Sequence, residues 1–171
     1  MKIKLISSLL AAVLMLTACG SAITPEATTT PETTIPQVEL PDLETLYNQG
    51  IAVLNQMGDE APILFPETDI NYLANFYPGL EQVELKQLYA GVAPVTNAPF
   101  EIILVEVANK DDVETVLDIF QARVDQESGD STYPENAEAW MNNCRITSRG
   151  NYVFLAVLMG SCEIPAQFIL D

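Results

Sequence analysis

The residues of this chain best suited to chemistry are its carboxylates, cysteines and three arginines, because its 171 residues contain no histidine. That absence removes the commonest general base, the usual partner of a catalytic serine or cysteine, and the commonest zinc ligand. Two cysteines, Cys144 and Cys162, lie in the distal half, and two thiolates alone do not complete a structural zinc site. The eight glycines are scattered singly, so no phosphate-cradling loop is present. Carboxylates are abundant, at 24, and for that reason two of them close in sequence carry little information. The acidic loop from Asp125 to Glu135 lacks the ligand spacing of an EF-hand. No pair stands out as flanked by apolar residues and poised for acid-base work. We therefore expect no catalytic residues, no metal and no cofactor.

The third cysteine has a different setting. Lys2 and Lys4 precede an apolar run from Leu5 to Leu16 of about a dozen residues, the size of a signal-peptide core and short of the roughly 20 that a membrane span needs. The run closes on Leu16-Thr17-Ala18-Cys19, which resembles the lipobox of bacterial lipoproteins. The resemblance implies that the Cys19 thiol takes a diacylglyceryl group, that cleavage follows Ala18, and that the new amine is acylated. Two or more acyl chains hold a protein stably on a bilayer, where a single chain does so only marginally. The expected partner of the amino end is thus the cell membrane, and the expected location its extracytoplasmic face.

Residues 19–41 follow as a tether, with threonines set among Pro25, Pro31, Pro36 and Pro41 and no apolar periodicity. Roughly 20 such residues span about 25 Å as a coil and up to about 60 Å when extended. The division is then 1–18 signal peptide, 19–41 lipidated cysteine and tether, and 42–171 one domain. Loss of Lys2 and Lys4 with the signal peptide changes the formal charge of −17 to −19, from 24 acidic residues against 5 basic. So acidic a surface repels phosphate backbones, and nucleic acid is excluded as a partner.

Within 42–171 the pattern reads as α+β, an antiparallel sheet of two hairpins packed with helices. Leu43, Leu46, Tyr47, Ile51, Leu54 and Met57 recur at helical spacing behind an Asp42 cap. Thr68 or Asp69 starts a second short helix that ends at Pro78-Gly79. Strands are expected near Val83–Ala90 and over Phe100–Val107. Val113, Val116, Leu117, Phe120 and Val124 form one apolar stripe, the clearest helix of the chain. A polar loop, "QESGDSTYPE", comes next, then a hairpin turning at Gly150-Asn151, and the tail from Glu163 is read as a last helix. The hairpin register offsets Cys144 from Cys162 by several residues at about 3.3 Å each, which argues against a disulfide.

The strands Phe100–Val107 and Tyr152–Met159 are apolar on both faces, so both sides of the sheet need cover. Either helices divide between the faces, or part of one face is a patch for a partner, with Arg149, Tyr152 and Phe154 as its candidates. A second candidate is a ligand contact by Arg123 with Tyr133, Arg123 standing at the flank of the apolar stripe.

The acidic helix ending near Arg123, the "YPE" at Tyr133–Glu135 and the "GNYVFLAV" at Gly150–Val157, behind a lipobox and a tether, resemble an uncharacterised bacterial lipoprotein family. It is catalogued as Domain of Unknown Function 4358 and found chiefly in Gram-positive gut bacteria, and the similarity covers about residues 69–160. The resemblance implies no activity, ligand or catalytic residue. The expectation for function is a non-enzymatic binding or interaction module on the membrane, with a small carboxylate-dependent hydrolase of cell-envelope or nutrient substrates as the alternative.

Overall fold

Helix α1 (Leu43–Leu54) begins where the sequence places it. Asp42 accepts from the Thr45 backbone N–H at 2.9 Å and from the Thr45 hydroxyl at 2.7 Å, satisfying one of the orphan amides of the first turn. The computed structural model in which this is seen describes residues 40–94, 99–160 and 162–170, all within the compact unit Pro36–Asp171. The expected signal segment, Cys19 and the expected tether to residue 39 lie outside the described residues, as does Asn97 of the turn expected before Phe100. After Leu54 the helix tightens into a 3₁₀ stretch, Asn55–Glu60, interrupted by Gly58 at φ 67°.

Five strands follow as one antiparallel sheet: β1 (Phe65–Glu67), β2 (Leu85–Val92), β3 (Glu101–Val107), β4 (Arg145–Arg149) and β5 (Tyr152–Val157), in the spatial order β1-β2-β3-β5-β4. The two hairpins expected from sequence are β2-β3 and β4-β5, and β1 adds a short edge strand that the sequence reading missed. Gly150, at φ 62°, makes the turn and sets the expected pairs Arg149 with Tyr152, Thr147 with Phe154 and Arg145 with Ala156. β2 runs two residues beyond the expected strand, to Val92.

Both faces of the central strands are covered. On one side lie α2 (Ile70–Leu73), α3 (Val113–Ser128) and α4 (Pro134–Asn143), whose Leu73, Val116, Phe120 and Trp140 bury Ile103, Val105, Val153 and Leu155. On the other, α1 and the carboxyl-terminal segment close over Ile102, Leu104, Tyr152 and Phe154. Tyr47 of α1 and Phe168 of that segment meet with ring centroids 6.3 Å apart. Gly50 allows the contact, because a Cβ there would stand 2.2 Å from the Phe168 ring.

Two expectations need correction. The polar stretch after α3 contains a helix, α4: Tyr133 stands at its N-cap and Pro134 opens its first turn, where a missing N–H costs nothing. The tail forms a single 3₁₀ turn, Ala166–Phe168, in place of a last helix, because the backbone is extended at Pro165 before it and returns to extended at Ile169 after it. Cys144 packs against the core under α3 and α4 and Cys162 against the core under α1, and both thiols are free.

Candidate functional site

Arg123 continues the buried stripe of α3, three residues after Phe120 and seven after Val116, so the helix carries its guanidinium into the core. It is 9% exposed. A buried guanidinium needs counter-charge, and two carboxylates provide it. Nη2 donates to Glu101 Oε2 at 3.0 Å, and Nη1 donates to Glu127 Oε1 at 2.6 Å. Glu127 lies in the last turn of α3, where the helix dipole disfavours negative charge, and the arginine four residues earlier offsets that cost.

Glu101 opens β3 and shares the inward parity of Ile103 and Val105. A carboxylate there is tolerable only when fully engaged, and it is: its other oxygen accepts from the Tyr77 hydroxyl. Tyr77 is wholly buried, edge-on to Phe120 at 5.4 Å. Burial first, and then the negative charge of Glu101, raises its ionisation well above the usual phenol range, so it stays a donor. For Arg123, burial alone would weaken the charge, but Glu101 and then Glu127 outweigh it and raise the pKa. The guanidinium carbon also lies over three rings, Trp140 at 5.2 Å, Phe76 at 5.3 Å and Tyr77 at 6.0 Å, each worth up to about 2 kcal/mol when desolvated.

This network floors a cavity of about 350 Å³ between the end of α2, the facing ends of β2 and β3, α3 and α4. Tyr72, Phe76, Phe100 and Trp140 supply aromatic walls, and Asn75, Gln126 and Asn136 supply amides. The volume falls in the range of small-molecule sites, and the mixture of apolar walls with a few convergent polar groups is their usual composition. The two carboxylates do not form a free acid-base pair, because both oxygens of Glu101 are engaged and Glu127 is tied through Oε1 to the same guanidinium. Among the described residues no cluster of Cys, Asp and Glu is placed to hold a metal ion.

Of the residues singled out from sequence, Arg123 is central to the site. Tyr133 is 48% exposed and borders a separate depression with Pro134 and Met159, so the structure does not bring it to Arg123; Pro99 and Asn136 edge both hollows. The patch of Arg149, Tyr152 and Phe154 is not an open surface. Phe154 is 1% exposed and Tyr152 9%, beneath α1 and Phe168, while Arg149 is half-buried at the strand end. Their side-by-side placement is as expected, but helix cover wins over exposure.

Tyr77, Glu101, Glu127 and Trp140 were missed. Glu101 had a legible signal, a charge at an inward position of a two-sided apolar strand, which requires a buried partner. Glu106 repeats the signal on the opposite face. Its carboxylate accepts from Gln87 at 2.7 Å and lies 3.5 Å from Lys86 Nζ, and Gln87 in turn accepts the Leu43 N–H at 2.9 Å. That second buried carboxylate is occupied in seating α1.

An α+β domain with one antiparallel sheet and a small polar-floored cavity is the class that fold and site define. The chain belongs to the family described as a domain of unknown function, DUF4358, whose model matches residues 67–158. Every residue lining the cavity falls inside that match, whereas α1 and the carboxyl-terminal segment fall outside it. No curated protein and no solved structure matches the chain.

Proposed function

We propose that this protein is a lipoprotein held on the extracytoplasmic face of the cell membrane through Cys19, and that its domain binds a small ligand in the Arg123 cavity without transforming it. The anchor rests on the Leu16–Cys19 motif behind a short apolar run. Among the described residues no helix is long and apolar enough to cross a membrane. The observation that carries the binding reading is the cavity itself. Its floor is a buried arginine fixed by two carboxylates and three rings, an arrangement that holds donors and rings still and leaves no pair of free carboxylates to serve as acid and base. That arrangement favours binding over the hydrolase alternative.

Two readouts on the membrane-purified chain test the proposal. Metabolic labelling with a fatty acid should mark the wild type and not Cys19→Ser, and equal labelling of both would refute the anchor. A thermal-shift screen with small polar metabolites should find stabilising compounds, since a ligand at one hundred times its Kd adds about 2.7 kcal/mol. Stabilisation that survives occlusion of the cavity by Asn136→Trp would place binding elsewhere.

A further inference from the structure

The charges and donors of the cavity floor define what it accepts. Among the described residues Glu101 and Glu127 face a single cation, Arg123, so those groups of the floor carry one negative charge in excess. The two carboxylates differ in what they have left. Glu101 has both oxygens engaged, whereas Glu127 uses Oε1 for Arg123 and Gln126 and leaves Oε2 open, with its side chain 22% exposed. An open carboxylate oxygen beside Trp140, Phe76 and Tyr72 combines the two elements that recognise organic cations, a counter-charge and π faces.

A second observation points the same way and narrows the class. Arg123 is nine-tenths buried, yet its Nε–H has no acceptor among the described residues. An unmet donor in such a place calls for an acceptor atom. A carboxylate or phosphate would add negative charge beside two glutamates, so a neutral oxygen fits. We propose that the cavity binds a small organic monocation, a protonated amine that also carries a hydroxyl or carbonyl oxygen, with its ammonium on Glu127 Oε2 and its apolar part against Tyr72 and Phe76. This rests on the binding reading above and gives it a ligand class.

Trp140 is the chain's single tryptophan and lines this cavity, so in the folded chain its emission responds to what enters there. Three probes share a phenyl ring and a hydroxyl and differ in charge: 2-amino-1-phenylethanol, 1-phenylethane-1,2-diol and mandelate. Titrated into the full chain, the amino alcohol should change Trp140 emission saturably, at least tenfold more tightly than the diol, with mandelate silent. Glu127→Gln, whose circular dichroism should match wild type, should lower the amino alcohol's affinity to that of the diol. If the diol or mandelate binds as tightly as the amine, or Glu127→Gln binds the amine unchanged, the cavity binds ligands but the cation assignment is overturned. If none of the three alters emission while the thermal-shift screen still finds compounds whose effect Asn136→Trp removes, the cation assignment falls and the binding reading stands; if the screen finds none either, the binding reading falls with it.

Discussion

Replacing Arg123 by Leu removes the one cation of a buried network and leaves Glu101, 8% exposed, facing the core with a carboxylate and no counter-charge. Breaking one side of a buried pair costs about 3–5 kcal/mol. The three ring contacts of the guanidinium are lost as well, and the leucine recovers part of that through packing. The net expectation is a loss of about 4 kcal/mol, a large share of the 5–15 kcal/mol that domains possess. Urea denaturation followed by Trp140 emission and circular dichroism reads it as a lower midpoint at unchanged slope. A triple variant, Arg123→Leu with Glu101→Leu and Tyr77→Phe, removes every buried polar member, including the hydroxyl that would otherwise be orphaned at about 1–3 kcal/mol. It should return to within about 2 kcal/mol of wild type, because replacing a whole buried ionic group by apolar residues is close to neutral. A loss under about 1 kcal/mol for Arg123→Leu would mean that the pair behaves as a solvated surface bridge, and the reasoning that makes it a rigid floor would be wrong.

Three further outcomes follow from the packing and the titrating groups. Phe154→Ala should cost about 3–5 kcal/mol in chemical denaturation, as for a large aromatic removed from a core, and a cost under about 1 kcal/mol would restore the open-patch reading. Gly50→Ala should destabilise the domain and loosen the carboxyl-terminal segment, because its Cβ would overlap the Phe168 ring; hydrogen exchange at Leu170 is the readout, and unchanged protection would count against that contact. Burial pushes the Cys144 thiol up to about 12, with Glu101 adding to it, and burial with Tyr89 pushes the Tyr47 phenol to about 12. Folded pKa values above the unfolded ones mean that this stability is complete below about pH 9 and is lost as pH rises toward 12, at about 1.4 kcal/mol per pH unit for each group. Urea midpoints should therefore fall from pH 9 upward and fall less steeply at first in Cys144→Ala, and a midpoint that rises with pH would contradict the burial of these groups.

The parts of the fold that were legible in the sequence are those decided locally. Gly150-Asn151 permits a two-residue turn, and the turn alone sets every pair of β4 with β5. The stripe from Val113 to Val124 is long enough to define α3 unaided. Helix α4 escaped notice because its inward residues are Ala137, Ala139 and Trp140, too small or too few to show a period, although Tyr133-Pro134 was a start signal. The fate of Tyr152 and Phe154 could not be read from their strand, since a two-sided apolar strand looks the same whether a helix or a partner covers it. Phe168 and Leu170, far along the chain, decide it. The candidate site was visible only as Arg123. Its partners Glu101 and Tyr77 lie 22 and 46 residues away in sequence, and only the sheet and α3 together bring them into contact.

The measurement closest to the central claim is a two-dimensional NMR spectrum of the isotopically labelled chain, following the Trp140 indole N–H and the Arg123 Nε–H as cationic, neutral and anionic aromatic fragments are added. The account predicts that fragments which bind shift both signals together and saturate at a common site. Fragments that bind while leaving both signals in place, or a full set that leaves the whole spectrum unmoved, would contradict it.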